Sequence, residues 1–164
     1  MVRETQAKEV FRIEKRGQVG DLRAEKYPAN TRCPKCRLIF HGGVWKRGVL
    51  VTRQPLHLQL CPACIQIRDR QAGGVIRFDG SFISNHRQDL LNRIHNLEKQ
   101  VVEVRPLERI INIKEDKNQI TVSTTTEHLI ARIGKAIQRD FGGELDLRYT
   151  REDKYAIARW HRDL

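Results

Sequence analysis

The two short stretches Cys33-Pro34-Lys35-Cys36 and Cys61-Pro62-Ala63-Cys64 decide how the first half of this chain folds. Two residues between paired cysteines let both sulfurs reach one ion, and a proline inside each pair favours the tight turn that aims them. No cysteine is left over. The 24 residues between Cys36 and Cys61 are slightly more than such sites usually carry, and a long hairpin would bring the pairs together. The pattern predicts one structural zinc ion, Zn2+, held by Cys33, Cys36, Cys61 and Cys64. Four thiolates close the coordination sphere and leave no position for a reacting molecule. A redox Cys-x-x-Cys of the thioredoxin kind occurs once, at the start of a helix in a βαβ unit, and fits poorly. Paired disulfides fit poorly as well. His41 and His57 lie between the pairs and read as surface or packing residues rather than ligands.

Charge points the same way. The 164 residues carry a formal net charge of +11, and it is concentrated around the cysteines. From Arg32 to Arg77 nine lysines and arginines face one acid, Asp69, whereas residues 101–164 carry twelve basic against eleven acidic side chains. So one-sided a patch is the footprint expected for a phosphate backbone, where affinity comes from counterion release and falls with salt. Lys35, Arg37, Lys46, Arg47, Arg53, Arg68 and Arg70 are the expected phosphate contacts. Trp45, set between basic residues, is a candidate platform for an unpaired base. Packing of Trp45 over the metal site is the reading that so small a module favours.

Periodicity divides the chain further. Residues 1–31 alternate charges with few apolar side chains and no sustained period, which predicts a mobile arm. Residues 32–80 form the basic zinc module, of zinc-ribbon or treble-clef-like type, with turns at Gly42-Gly43 and Lys46-Arg47-Gly48 and strand-prone Val49-Leu50-Val51. A short helix after Cys64 projects Arg68 and Arg70, and Val75-Ile76-Arg77-Phe78 reads as a short strand. Residues 81–105 form a linking amphipathic helix from Asn85 to about Glu103, capped by Ser84, with Leu90, Leu91, Ile94, Leu97 and Val101 on one face. His86 and His95 fall on its polar side.

Residues 106–164 read as a β-β-α-β-β domain. Arg109 to Ile113 and Gln119 to Thr124 form a hairpin, and Thr126 caps a helix with Leu129, Ile130, Ile133, Ile137 and Phe141 inward. Leu145 to Tyr149 and Tyr155 to Trp160 are two more strands. The expected fold class is α+β, with a four-stranded antiparallel sheet covered by one helix.

No catalytic constellation stands out, so the chain is expected not to be an enzyme and to have no small-molecule substrate. No stretch approaches the roughly 18 apolar residues of a membrane span, and the N-terminus is charged. The expected setting is the cytoplasm, where thiols stay reduced for zinc, and the expected state is a monomer.

The segment Thr124-Thr125-Thr126-Glu127-His128-Leu129-Ile130-Ala131-Arg132-Ile133-Gly134-Lys135-Ala136-Ile137, then Phe141-Gly142-Gly143-Glu144-Leu145, Tyr149 and Ala158-Arg159-Trp160, completes the picture. It resembles the region after the zinc module in archaeal members of the large-ribosomal-subunit export adaptor family, the family named for a third nonsense-mediated-decay factor. The two Cys-Pro-x-Cys knuckles match that family's zinc-bearing part in order, and the resemblance covers about residues 30–162. It implies binding to rRNA of the large ribosomal subunit, in maturation or surveillance. The family's zinc part carries more cysteine pairs, and eukaryotic members continue into further domains, so export itself is not implied. Short bacterial proteins look like this truncated form, which suggests a prokaryotic ribosome-associated factor acting in maturation, surveillance, stress or hibernation. The rival expectations are a zinc-ribbon DNA-binding regulator and a protein-interaction adaptor. The first would need a groove-entering helix and a dimer interface, and the second would give a complex insensitive to salt.

Overall fold

The computed structural model of the chain describes residues 27–48, 57–150, 152 and 154–164. Arg53, the Val49-Leu50-Val51 run and all of the expected N-terminal arm before Tyr27 lie outside the described residues. The rest of the chain is α+β and builds two sheets.

The smaller sheet carries the cysteines. Strands β1 (Thr31–Arg32), β2 (Ile39–His41), β3 (Val44–Lys46) and β4 (His57–Leu58) lie in the order β3-β2-β1-β4. β2 and β3 form a hairpin in which Phe40 faces Trp45. Gly42 and Gly43 make its turn with φ of 61° and 81°, left-handed values at which glycine carries no Cβ penalty. β1 pairs antiparallel with β2 but parallel with β4, so the sheet is mixed. Helix α1 (Pro62–Asp69) follows the second cysteine pair. Tyr27 packs edge-on against Trp45 at 4.8 Å and tilted against Phe40 at 5.5 Å. Tyr27 to Thr31 therefore belong to this module and not to an arm, because the module's few large side chains need that aromatic cover.

The larger sheet has five strands in the order β6-β7-β5-β9-β8: β5 (Gly74–Asp79), β6 (Ile110–Asp116), β7 (Gln119–Thr124), β8 (Glu144–Thr150) and β9 (Tyr155–His161). The expected antiparallel four-stranded sheet is corrected in two respects. β5, which the sequence pattern attached to the zinc module, is the central strand here, and it runs parallel to β9 while antiparallel to β7. The reason is pairing at long range. Ile76 sits between Val122 and Ala158, and Phe78 between Ile120 and Trp160, so one face of β5 completes an apolar layer built from far downstream. With β7 lying between the parallel strands β5 and β6, the unit is a split β-α-β.

Helices α2 (Phe82–Val104) and α3 (Glu127–Phe141) cover that layer. Leu90, Leu91 and Ile94 of α2 and Leu129, Ile130, Ile133 and Ile137 of α3 join Ile76, Phe78, Ile120, Val122 and Trp160 in one buried core. The expected linking helix is thus a structural layer of the larger unit. It begins earlier than Ser84 because Phe82 and Ile83 are buried, and it departs from helical geometry at His86. α3 matches its expected bounds: Thr126 accepts from the Leu129 N–H at 3.2 Å, and Gly142 closes the helix at φ 67°.

Candidate metal centre

The four cysteines reach one point by two different local devices. In the first pair the chain turns back on itself, with the Cys33 N–H donating to the Leu38 carbonyl at 2.8 Å and the Arg37 N–H to the Cys33 carbonyl at 2.9 Å. Arg37 takes the left-handed conformation, φ 64°, that closes the knuckle. In the second pair the knuckle is the start of α1. Cys61 is its N-cap, the sulfur accepts from the Cys64 N–H at 3.4 Å, and Pro62 fills the first turn, where a missing N–H costs nothing.

The sulfur atoms of Cys33, Cys36, Cys61 and Cys64 all lie within 4.8 Å of one another, and Cys36 and Cys61 approach to 3.6 Å. Tetrahedral thiolate coordination at about 2.3 Å places sulfurs roughly 3.8 Å apart, so the set fits one ion. Cys33, Cys61 and Cys64 are buried and Cys36 is half-buried. Leu38, Trp45 and Ala63 surround them, with Tyr27, Phe40, Leu60 and Leu107 packed outside. Soft thiolates in a closed, largely dry pocket select ions such as Zn2+, Cu+ or iron over hard cations.

The electrostatics favour a cation at this point. Hydrogen bonding with Cys61 brings the Cys36 thiol down to about 4, against the opposing effect of burial and with help from Leu38 and Arg109. The same bond with Cys36, followed by burial, pushes Cys61 up. Burial first of all pushes Cys64 up. Cys36, Cys61 and Cys64 cannot all ionise beside one another, and a dication removes that conflict.

One residue of the site escaped the sequence reading. Arg109, at the head of β6, donates to Cys36 Sγ at 3.2 Å and to Cys64 Sγ at 3.3 Å, with Cys61 Sγ at 3.8 Å. Burial acts to lower its pKa, but the bond to and charge of Cys36 more than offset this and raise it. The only signal in the sequence was an arginine opening a β-branched run.

No family model matches this chain, and no curated protein matches it.

Lys35, Arg37, Lys46, Arg47, Arg68 and Arg70 are all exposed on the cysteine module. Arg47 is held by Glu103 of α2 at 2.9 Å and Arg68 by its neighbour Asp69 at 2.8 Å. Lys35, Arg37, Lys46 and Arg70 make no ion pair among the described residues. Trp45 is 8% exposed and wedged between Tyr27 and Phe40, so it packs the module and offers no face to a base. His41 and His57 are exposed and outside the sulfur cluster, and His86 lies on α2, stacked on Phe82 at 4.0 Å. Among the described residues, no helix is long and apolar enough to cross a membrane.

Proposed function

We propose that this chain is a non-enzymatic, zinc-dependent RNA-binding factor of the ribosome that contacts rRNA of the large subunit. Zinc is the ion assigned to the four thiolates, held for structure in a treble-clef-like unit of knuckle, hairpin and helix. The observation that carries the reading is the segregation of charge: eight basic residues against one acid between Arg32 and Arg70, the span of the cysteine module. A module with so few apolar side chains has no large core of its own, so the metal supplies folding free energy and holds the basic surface in shape. The resemblance to the large-subunit export adaptor family, in the order of the knuckles and in the segment from Thr124 to Trp160, directs the choice of RNA to the ribosome. The role that follows is maturation, surveillance or hibernation in the cytoplasm, by a monomer. Against a DNA regulator, α1 has eight residues and its Arg68 is tied to Asp69, which supplies little for a major groove.

The test is co-sedimentation of the zinc-loaded chain with intact ribosomes and with separated subunits at low and moderate salt. Migration with the large subunit that weakens with salt and is lost with zinc is the expected result. A chain that stays at the top of every gradient would sink the ribosomal reading. A complex indifferent to salt would favour a protein-docking adaptor.

A further inference from the structure

We infer that Arg109 is a positioning residue of the metal centre: it shares charge with the bound thiolates and fastens the five-stranded unit to the cysteine module through them. This rests on the assignment of a metal to the four cysteines.

The argument starts from how Arg109 is held. Its N–H donates to Thr125 Oγ1 at 2.9 Å, its carbonyl accepts from the Thr125 N–H at 2.9 Å, and its Nε donates to the Pro106 carbonyl at 2.8 Å. Thr125 Oγ1 in turn donates to the Leu107 carbonyl at 2.7 Å. The backbone and inner nitrogen are therefore fixed within the larger unit, and the two outer nitrogens point at Cys36 and Cys64, one sulfur from each knuckle. A fork with this spread is a property of guanidinium and not of ammonium.

Charge gives the fork its purpose. Four thiolates around a dication leave two negative charges in a largely apolar pocket, and one guanidinium cancels half of that excess. Donors to a ligating sulfur also draw electron density from it and fix its orientation, which is how groups around the ligands tune a metal. The same corner is fastened by Gln66 of α1, whose Nε2 donates to the Thr125 carbonyl at 2.9 Å, and by Leu107, which packs on the sulfur cluster. These uncharged contacts dock the two units in any case, whereas the Arg109 contact has full strength only when the sulfurs are ionised around a metal.

The experiment uses the full chain with cobalt(II) as the probe, beside zinc, and compares the native protein with Arg109→Met and Arg109→Lys. The native chain should take up one cobalt and show the sulfur-to-metal charge-transfer band of thiolate ligation. In Arg109→Met that band should move to lower energy, since sulfur lone pairs relieved of hydrogen bonds are easier to excite. Cobalt and zinc affinity should fall about ten- to a hundredfold. Alkylation of the metal-bound cysteines by iodoacetamide should quicken. Arg109→Lys should recover part of the affinity but not the band position. If Arg109→Met fails to fold, the comparison of Arg109→Lys with the native chain carries the test through band position and alkylation rate. A native band position with affinity within twofold of native in the variants would overturn the inference. A native chain that binds neither metal would overturn the metal assignment itself.

Discussion

Cys61 has two roles that chemistry can separate. Its sulfur is a metal-ligand candidate and also the cap of α1, accepting from the Cys64 N–H. Serine is among the best N-caps but a poor zinc ligand. Serine at this position can still cap α1 but cannot replace the thiolate, so in Cys61→Ser the proposed zinc should be lost and the cysteine module should unfold despite the cap, while the five-stranded core persists. Metal analysis, with NMR of the Trp45 and Trp160 indoles as reporters of the two cores, reads both outcomes; retained zinc would refute the structural assignment. On the larger sheet, Asp79 gathers Arg159 at 2.7 Å and His161 at 2.5 Å, with Arg77 at 3.2 Å. Hydrogen bonding to Asp79 raises the His161 pKa, against some burial and with help from Asp163. A raised folded value means the pair's contribution is full below about 6.5 and fades as pH climbs through the folded value. NMR titration should place the His161 midpoint above 6.5 in the native chain and lower in Asp79→Asn. The clustering of the cysteines and the packing of Trp45 were legible because each depends on residue type and near spacing. Arg109 was not, because its partner Cys36 lies 73 positions away.

Elements whose cues are local came out as their sequences suggest. α3 has a threonine cap, an apolar stripe and a glycine stop, and each is observed. Thr126→Ala should cost about 1 kcal/mol of stability, measured by denaturant unfolding, because the Leu129 N–H loses its partner. α2 shows where local cues fail. Its sequence suggests a cap at Ser84, yet the Ser84 hydroxyl bonds Asn118 Oδ1 at 3.0 Å, and the helix gains a turn to bury Phe82 and Ile83. Phe82 then stacks on His86 and carries the Arg162 guanidinium 4.1 Å from its ring. Burial of two large apolar side chains outweighs one cap. Just before this turn, Gly80 holds φ +114°, and a Cβ there would collide with the Arg162 carbonyl. Gly80→Ala should destabilise by about 1–3 kcal/mol through strain at that φ together with displaced backbone. A melting temperature unchanged from the native chain would contradict this.

For the molecule as a whole, the metal reading separates two stabilities. Chelation should collapse the cysteine module and, if the proposed RNA binding holds, abolish it, while hydrogen exchange in β5, β7 and β9 stays slow, because their core is closed by α2 and α3 without the sulfurs. Loss of protection throughout the chain would show instead that the units fold as one. The class of the fold was legible in its composition and periods, but its sheet was misjudged at β5, whose six residues signal a strand without naming their neighbours. β5 pairs with β9, register Gly74 with Ala156 through Asp79 with His161. Synthesis runs from the N-terminus, so the central strand is made long before the strand that closes one of its sides. Until residues 155–161 emerge from the exit channel, β5 carries a bare row of amides beside an unfinished core. A chain released before β9 is made would carry that open edge of β5 as an adhesive seam.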